Sequence, residues 1–406
     1  MPHALDDIRV LDLSRVLAGP WATQVLADLG ADVIKVERPG DGDDTRRWGP
    51  PFVTGPDGAP GDAAYYFAAN RNKRCVTIDF TRPAGADLVR TLAARSHVFV
   101  ENFRTGGLAK YGLDYASLRT INPTLVYCSI TGFGQDGPYA RRAGYDYLIQ
   151  GMGGLMSITG QPDGAPGAEP MKVGVAVADL FAGMYAVTGI LGALRHAERT
   201  GEGQQIDIAL LDCQVAMLAN QAMNWFVGGQ APTRLGNAHP NVAPYQVFRT
   251  ADAFLILAIG NDGQFRTLCA HAGREDLIAD ARFATNAGRI GHRDALTALL
   301  APLLATRTTD AWIAGLDAVG VPCGRINAID QVFSDPQVAA RGLAQTLPRA
   351  GGAAVTAPAS PLKMSATPPR AAHAAPPLGA DTEAVLRTVA ELDPAAIDRL
   401  RASGAI

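Results

Sequence analysis

Asp179 is the residue of this sequence best suited to covalent chemistry. It lies in the segment from Met171 to Gly183, most of whose residues are small and apolar, close to the predicted start of a helix. An aspartate at a helix start is commonly an N-cap, whose carboxylate accepts hydrogen bonds from backbone N–H groups. The same geometry suits a nucleophile, because small neighbours let a substrate approach and the helix N-terminus supplies donors for an adjacent anion. These residues alone leave both interpretations of Asp179 open.

Two arginines after the second predicted strand form a candidate anion site. Arg38 and Arg46 flank the turn 39–44, where a doubly wound sheet places its ligand crevice. The first turn, 14–20, lacks G-x-G-x-x-G, which argues against a dinucleotide there. The chain also has no G-x-S-x-G, P-loop or H-E-x-x-H motif, so the sequence does not support the common hydrolases, kinases or zinc enzymes.

Alternating strand-like and helical segments must position these residues. Strands are predicted over 8–13, 32–37, 75–79, 97–101, 125–130 and 205–210, and helices over 20–29, 83–94 and 180–195. This alternation is typical of βαβ units around a parallel sheet. A Gly-, Pro- and Asn-rich stretch over 228–244 precedes a second βα region, with a strand over 254–259 and helices over 262–272 and 308–319. The Ala- and Pro-rich stretch 330–376 is predicted to run extended, and two short helical patterns follow it, split at Asp393-Pro394.

Composition narrows the class of protein. The 406 residues include 36 Lys and Arg against 39 Asp and Glu, and this net charge of −3 lacks the basic footprint of a nucleic-acid binder. No uninterrupted apolar run reaches the roughly 20 residues that cross a bilayer, and the first residues lack the apolar core of a signal peptide, so we expect a cytoplasmic protein without a membrane partner. Five widely spaced cysteines without a C-x-x-C pair predict neither disulfides nor a zinc site.

Several long motifs, taken together and in order, resemble the class III CoA-transferases. This family includes formyl-CoA transferase, carnitine CoA-transferases, succinyl-CoA-dependent transferases and the α-methylacyl-CoA racemases. The motifs are RVLAGPWATQVLADLGADVIKVERPGDGDDTR, NRNKRCVTIDF, VENFRTGGLAKYGL, GVAVADLFAGMYAVTGILGAL, LGNAHPNVAPYQVF, VPCGRINAIDQVFSDPQV and PLGADTEAVL. The resemblance covers essentially the whole chain.

With the elements above, the resemblance implies an α/β fold in several parts. We expect a Rossmann-like large domain over 1–200, a linker helix over 201–227, a small α/β domain over 228–328 and a segment over 329–406 that returns to the large domain. The resemblance also implies that two subunits interlock as a homodimer.

By motif position, Asp179 matches the family's catalytic aspartate. The resemblance implies that Asp179 attacks an acyl-CoA thioester, and that an aspartyl-acyl anhydride and then an aspartyl-CoA thioester form, with no metal or redox cofactor. Nucleophilic catalysis of this kind divides the exchange between thioester and acid into steps of similar energy. We expect backbone N–H groups at the start of the following helix and in the loop 236–245 to stabilise the oxyanions.

Coenzyme A is the partner that the resemblance implies for the large domain. Arg38, Arg104 and Lys110 are expected to face its phosphates, and Phe103 to pack against its nucleotide. The CoA-binding residues carried over are Leu17, Ala18, Arg38, Ile78, Asp79, Phe80, Thr81, Asn102, Phe103, Arg104, Lys110, Ala143, Gly144, Tyr145 and Asp146. The residues expected to meet the acid substrate are Trp48, Gly236, Asn237, His239 and Asn241.

Two departures within the family bear on the substrate. Leu17 stands where formyl-CoA transferase has a glutamine, and the segment 236–241 reads GNAHPN where that enzyme has a run of glycines. This version looks more like the succinyl-CoA-dependent transferases of dicarboxylic acids. We therefore predict CoA transfer from an acyl-CoA, with succinyl-CoA expected, to a carboxylic acid, with a dicarboxylate expected. The alternatives are an α-methylacyl-CoA racemase, which has a histidine where Tyr145 stands, and a catalytically silent CoA-binding protein.

Overall fold

The computed structural model describes residues 3–55 and 58–406. Its strands are β1 (Arg9–Asp12), β2 (Asp32–Glu37), β3 (Phe52–Thr54), β4 (Pro60–Ala63), β5 (Arg74–Thr77), β6 (Val98–Glu101), β7 (Val126–Thr131), β8 (Gln205–Ala209), β9 (Tyr245–Arg249), β10 (Phe254–Ala258), β11 (Cys323–Arg325), β12 (Ala344–Leu347) and β13 (Val355–Pro358). Its helices are α1 (Ala18–Asp28), α2 (Ala64–Phe67), α3 (Pro83–Ala93), α4 (Tyr115–Ile121), α5 (Asp146–Met152), α6 (Leu155–Ile158), α7 (Val177–Thr200), α8 (Leu210–Met217), α9 (Ala219–Gly228), α10 (Asp262–His271), α11 (Glu275–Ala279), α12 (Asn286–Gly291), α13 (Arg293–Leu304), α14 (Thr309–Ala318), α15 (Ile329–Ser334), α16 (Pro336–Ala340), α17 (Thr382–Thr388) and α18 (Pro394–Ala402).

A parallel sheet in the order β5-β2-β1-β6-β7-β8 organises the first of two compact units. This unit comprises residues 1–155, 173–223 and 336–406. The chain builds the sheet outward from β1 through β2 to β5, then returns to build β6, β7 and β8 on the other side. The strand order therefore reverses between β1 and β6, which is where open α/β sheets bind their ligands. The predicted α/β fold is confirmed.

Helices bury both faces of this sheet. Within β1, Val10 belongs to the core beneath α1 and α7, and its neighbour Leu11 belongs to the core beneath α3, α4, α17 and α18. This alternation follows from the two-residue period of a strand. By length and composition alone, α7 could also cross a membrane. Its small side chains, Ala178, Ala182 and Ala186, are buried in the core of this unit.

The second unit comprises residues 156–172 and 224–335. Its antiparallel sheet has the order β11-β10-β9. Helices α10, α13 and α14 supply an apolar core that includes the fully buried Trp312, Phe265 and Leu300. The strand and the two helices that the sequence predicts over 254–319 are confirmed.

The stretch 330–376 departs from the sequence prediction in its first half. It holds α15, α16 and the hairpin β12–β13 instead of running extended, although no helix or strand follows between 359 and 381. Residues of α15 are mostly exposed, so no apolar periodicity marks this helix in the sequence. In the hairpin, Leu347 is buried with Tyr66 and Phe67 in a separate small cluster. Two short helices on either side of Asp393 are confirmed.

Candidate active site

Asp179 is the third residue of α7, which begins at Val177 after the N-cap residue Ala176. The interpretation of Asp179 as the N-cap is therefore wrong. The Asp146 carboxylate serves the helix start instead, since its Oδ1 accepts the Ala178 N–H at 2.8 Å. Because that N–H is already paired, it is not one of the oxyanion donors that the sequence predicted there.

The carboxylate of Asp179 is only partly exposed and has no hydrogen-bond or ion-pair partner among the residues that the structure describes. Burial, together with the negative charge of Asp146, raises its pKa to about 7. A carboxylate at this position of a helix is favoured by the helix dipole, which opposes the effect of burial. Asp179 is thus a carboxylate held in place by its helix while its oxygens stay open to a reacting group.

Close packing of α1 on α7 brings the first turn of the fold to Asp179. Gly183 makes this possible, because a Cβ there would lie 2.8 Å from the Ala18 carbonyl oxygen and 3.0 Å from Trp21 Cδ1. The first N–H groups of a helix have no partner within it. The start of α1, whose residue Ala18 lines the same cavity as Asp179, is therefore a further candidate source of oxyanion donors.

Asp179 lies in a cleft of about 220 Å³, here called the Asp179 cleft. Its wall includes the segment before α5, where the backbones of Gly132 and Gly144 touch so closely that a Cβ on Gly132 would lie 2.6 Å from the Gly144 Cα. The predicted residues that line the cleft with Asp179 are Leu17, Ala18, Trp48, Asn102, Phe103, Arg104, Ala143, Gly144 and Tyr145.

A buried charged layer holds the first turn in shape. Val16 has a φ of 70°, a left-handed conformation that is strained for a β-branched residue. Its N–H donates to the Asp43 carboxylate, at 3.2 Å to Oδ2. Lys35 Nζ in turn donates to Asp43 Oδ2 and to the Ser14 carbonyl oxygen, both at 2.9 Å. Although burial alone would raise it, the ammonium of Lys35 holds the pKa of Asp43 below its ordinary value.

A second cavity of about 370 Å³, here called the Arg38 pocket, shares Arg15, Asp44 and Phe103 with the Asp179 cleft. The predicted residues that line it are Arg38, Ile78, Asp79, Phe80, Thr81 and Phe103. The rings of Phe80 and Phe103 pack edge to face with centroids 5.5 Å apart. Because they share these residues, the two cavities are adjacent. A long ligand with a phosphorylated end and a reactive end needs two adjacent cavities of this kind.

The three cationic residues predicted to bind anions, Arg38, Arg46 and Lys110, have different surroundings in the structure. The Arg38 side chain is mostly exposed and pairs with Asp41 at 3.4 Å. Arg46 is buried and paired with Glu37 at 2.7 Å, so the prediction of an anion site on Arg46 is wrong. Lys110 is not among the residues lining either cavity, and its Nζ lies 4.8 Å from the centroid of the Tyr111 ring.

Asn102 has a structural task in the loop after β6. Its Oδ1 accepts the Arg15 N–H at 2.9 Å and its Nδ2 donates to the Arg15 carbonyl oxygen at 2.6 Å. The oxygen and the nitrogen of the Asn102 side-chain amide thus both hydrogen-bond the first turn and hold it against the end of β6. Asp146 is similarly occupied, since Gln150 Nε2 donates to its Oδ2 at 2.7 Å.

The remaining predicted residues, Gly236, Asn237, His239 and Asn241, belong to the second unit. The ring of His239 packs on Tyr245, with centroids 5.2 Å apart. Asn286 binds the loop 236–245 through the Asn241 carbonyl oxygen at 2.9 Å and the Ala243 N–H at 3.1 Å. A role of these four residues at the acid substrate stays a prediction.

Four residues at or near the Asp179 cleft were not predicted from the sequence. Arg15, Asp44 and Arg142 line the Asp179 cleft, and Tyr65 has its pKa raised by burial and by the negative charges of Asp179 and Asp146. Tyr65 also packs edge to face on the Trp48 ring, with centroids 5.3 Å apart. Arg15 is the one that position could have revealed, because it follows the first strand directly. Asp44 lies within the first motif, whereas Arg142 and Tyr65 lie outside the motifs and carry no local sequence signal.

Comparison with known proteins identifies the family of this chain. The family model for CoA-transferase family III matches residues 5–382. A succinate–glutarate CoA-transferase of Agrobacterium fabrum is 54% identical over 94% of this chain and 94% of its own length, and a succinyl-CoA:glutarate CoA-transferase of Mus musculus is 43% identical over 99% and 90%.

Among solved structures, a CAIB/BAIF family protein from Brucella suis superposes with a TM-score of 0.85 at 50% identity, covering 97% of this chain and 100% of that one. The resemblance deduced from the motifs is confirmed, and the chain belongs to CoA-transferase family III.

Proposed function

We propose that this protein transfers CoA from succinyl-CoA to a dicarboxylic acid of about the size of glutarate, with Asp179 as the nucleophile. One observation carries the proposal: Asp179 has no hydrogen-bond or ion-pair partner within the described residues, and it lies in a cleft next to the Arg38 pocket. A structural carboxylate at a helix start is normally paired with backbone donors. Here Asp146 takes that task and leaves Asp179 to react.

The proposed reaction has four steps that balance without a net proton change. An Asp179 oxygen attacks the thioester carbonyl of succinyl-CoA, forming a mixed anhydride and expelling the CoA thiolate. The thiolate attacks the aspartyl carbonyl and releases succinate, which leaves an aspartyl-CoA thioester. The acceptor carboxylate attacks this thioester and expels the thiolate again. The thiolate then attacks the acceptor's carbonyl in the new anhydride, so that the product acyl-CoA leaves and Asp179 is restored.

Two kinds of support favour these substrates. CoA thioesters are the substrates of CoA-transferases, and the Arg38 pocket offers a charged, partly apolar place for a nucleotide end. The two relatives from Agrobacterium fabrum and Mus musculus, which align over 94% and 99% of this chain, are named for succinate, succinyl-CoA and glutarate. A third, from Haloarcula hispanica, is 39% identical over 92% of the chain and is named for succinyl-CoA and mesaconate. All three names pair two short dicarboxylates.

The test offers succinyl-CoA with a panel of mono- and dicarboxylates and measures product CoA esters by mass. We expect glutaryl-CoA from glutarate. Hydroxylamine added during turnover should convert the activated aspartyl group to a hydroxamate on the peptide that carries Asp179. Asp179→Ala should lower the transfer rate by roughly a thousandfold or more. Full transfer by Asp179→Ala, or no CoA ester with any acid, would overturn the proposal.

We also propose that the active form is a homodimer whose subunits interlock. In the single chain, α5, α7 and α8 expose large apolar side chains, among them Tyr147, Met184, Tyr185 and Val215. Exposed apolar surface of this kind marks an association site. The chain also leaves the first unit after residue 223 and returns to it at residue 336. The particle mass in solution should be twice the chain mass of 42.5 kDa at micromolar concentration, and a monomer would contradict the proposal.

A further inference from the structure

Arg142 is a cation in the Asp179 cleft that neither the motifs nor the chemistry at Asp179 accounts for. Its guanidinium carbon lies 4.6 Å from the centroid of the Tyr139 ring and 5.3 Å from that of Phe133. These two rings pack edge to face on each other, with centroids 5.5 Å apart. Contacts between a guanidinium and aromatic faces orient the charge without neutralising it.

No carboxylate lies within ion-pair distance of Arg142 in the part of the chain that the structure describes. The neighbouring cation Arg15 differs, because it is paired with Asp44 at 3.3 Å. A guanidinium that is held by rings and lacks an anion is suited to bind an anion from solution, since its planar donors match a carboxylate at two points.

Position separates Arg142 from Arg38, the cation assigned to CoA that lines the Arg38 pocket. Arg104, which is also assigned to CoA, lines the Asp179 cleft together with Arg142 and does not line the Arg38 pocket. The segment 140–145, which carries Arg142, contributes to the Asp179 cleft and contributes no residue to the Arg38 pocket. Arg142 therefore lines the cavity that holds the reacting aspartate and not the cavity that holds Arg38.

We infer that Arg142 binds the non-reacting carboxylate of the dicarboxylate substrates and thereby selects them over monocarboxylates. This inference rests on the proposed function and deepens it. Succinyl-CoA and a dicarboxylic acceptor share one feature, a free carboxylate a few methylene groups from the reacting carbon. A single cation serves both halves of the exchange, because donor and acceptor occupy the cleft in turn. An isolated carboxylate would otherwise lose its hydration in the cleft without compensation.

The test is a competition between glutarate and its monoamide, glutaramate, in one reaction with succinyl-CoA. The two acids have nearly the same shape and differ in charge at the far end. Because both compete for the same aspartyl-CoA enzyme, the ratio of glutaryl-CoA to glutaramyl-CoA gives the ratio of their kcat/KM values, and any effect of the variant on the donor cancels. The two products are separated by chromatography and quantified by mass.

Arg142→Leu should lower the preference for glutarate by about 10- to 100-fold, the loss expected when a charge-assisted hydrogen bond is removed. Arg142→Gln, which keeps length and polarity, should lower it similarly and supplies the comparison if the leucine variant folds poorly. Arg141→Leu is the matched control, since Arg141 is the neighbouring arginine and is not a lining residue of the cleft. Its ratio should equal that of the unaltered protein.

The failures are distinguishable. If the unaltered protein transfers CoA to glutarate and both Arg142 variants keep its preference over glutaramate, Arg142 does not select the carboxylate and the inference is overturned. An equal loss of preference in Arg141→Leu would also overturn it, because general positive charge would then explain the selectivity. If the unaltered protein transfers CoA to neither acid, the proposed function fails first and this inference fails with it.

Discussion

The buried charged layer under the first turn and the wall of the Asp179 cleft use charge in opposite ways. In the layer, Lys35 pairs with Asp43 at 2.9 Å and Lys73 pairs with Asp12 at 3.1 Å, and all four side chains are almost completely buried. In the cleft wall, Asp179 and Arg142 have no such partners among the described residues. The paired charges fix a strained backbone, whereas the unpaired charges face space that a ligand can fill.

Pairing decides what each charge costs the folded protein. A buried charge that loses its partner is strongly destabilising, because desolvation is no longer offset by attraction. A charged side chain in a cleft wall keeps part of its hydration, so the free energy of unfolding changes little when its neighbour is substituted. The comparison therefore predicts that substitutions in the layer act mainly on stability and that substitutions in the cleft wall act mainly on reactivity.

The largest expected effect comes from breaking a pair in the layer. Lys35→Met leaves the Asp43 carboxylate buried and unpaired and removes the donor to the Ser14 carbonyl oxygen. We expect the free energy of unfolding to fall by about 3 to 5 kcal/mol. Urea unfolding at pH 7, followed by circular dichroism, measures this change.

Arg142→Met is the control for this substitution, because it removes a cation from the cleft wall by the same change of side chain. Its effect on the free energy of unfolding should stay within about 1 kcal/mol, since only aromatic contacts are lost. Similar losses for the two variants would contradict the distinction between paired and unpaired charges.

Local patterns in the sequence were enough to predict the sheet but not the whole site. The strands and α1 were predictable because apolar residues repeat at the period of each element, and Asp179 was predictable through the motif around it. Tyr65 was not, because it packs on Trp48 and its pKa is raised by the charge of Asp179, and both residues are distant in sequence. Arg142 was not, because only the fold brings its segment to the cleft that holds Asp179.

The predictions of an anion site at Arg46 and of an N-cap at Asp179 were wrong for the same reason. A pattern identifies an arginine near a crevice, but the ion pairs of Arg46 with Glu37 and Asp62 are formed by residues from separate elements. Likewise, Asp146 reaches the start of α7 from the beginning of α5 and takes the capping role that one segment alone suggests for Asp179. Whether a charged side chain has a structural or a reactive role therefore depends on the residues that the tertiary structure places next to it.

A smaller effect, opposite in sign, should follow from removing the unpaired charge itself. Burial and then Asp146 raise the pKa of Asp179 from 3.8 to about 7, so the folded state holds a proton that the unfolded state has released between these pH values. Stability due to this group therefore falls as the pH rises from 3.8 to about 7 and stays low above that. Asp179→Asn should remove this cost and raise the free energy of unfolding at pH 8 by about 1 to 3 kcal/mol, because each pKa unit corresponds to about 1.4 kcal/mol and the side chain is partly exposed.

Urea titrations at pH 5, 6, 7 and 8 test the sign as well as the size of this effect. The advantage of Asp179→Asn over the unaltered protein should grow up to about pH 7 and then level off. Asp41→Asn is the control, because hydrogen bonding and attraction to Arg47 hold the pKa of the exposed Asp41 below its ordinary value, and its substitution should bring no gain at any of these pH values. A pH-independent advantage of Asp179→Asn would mean that the substitution relieves steric crowding and not an unfavourable charge. The contrast between layer and cleft would then rest on Arg142 alone.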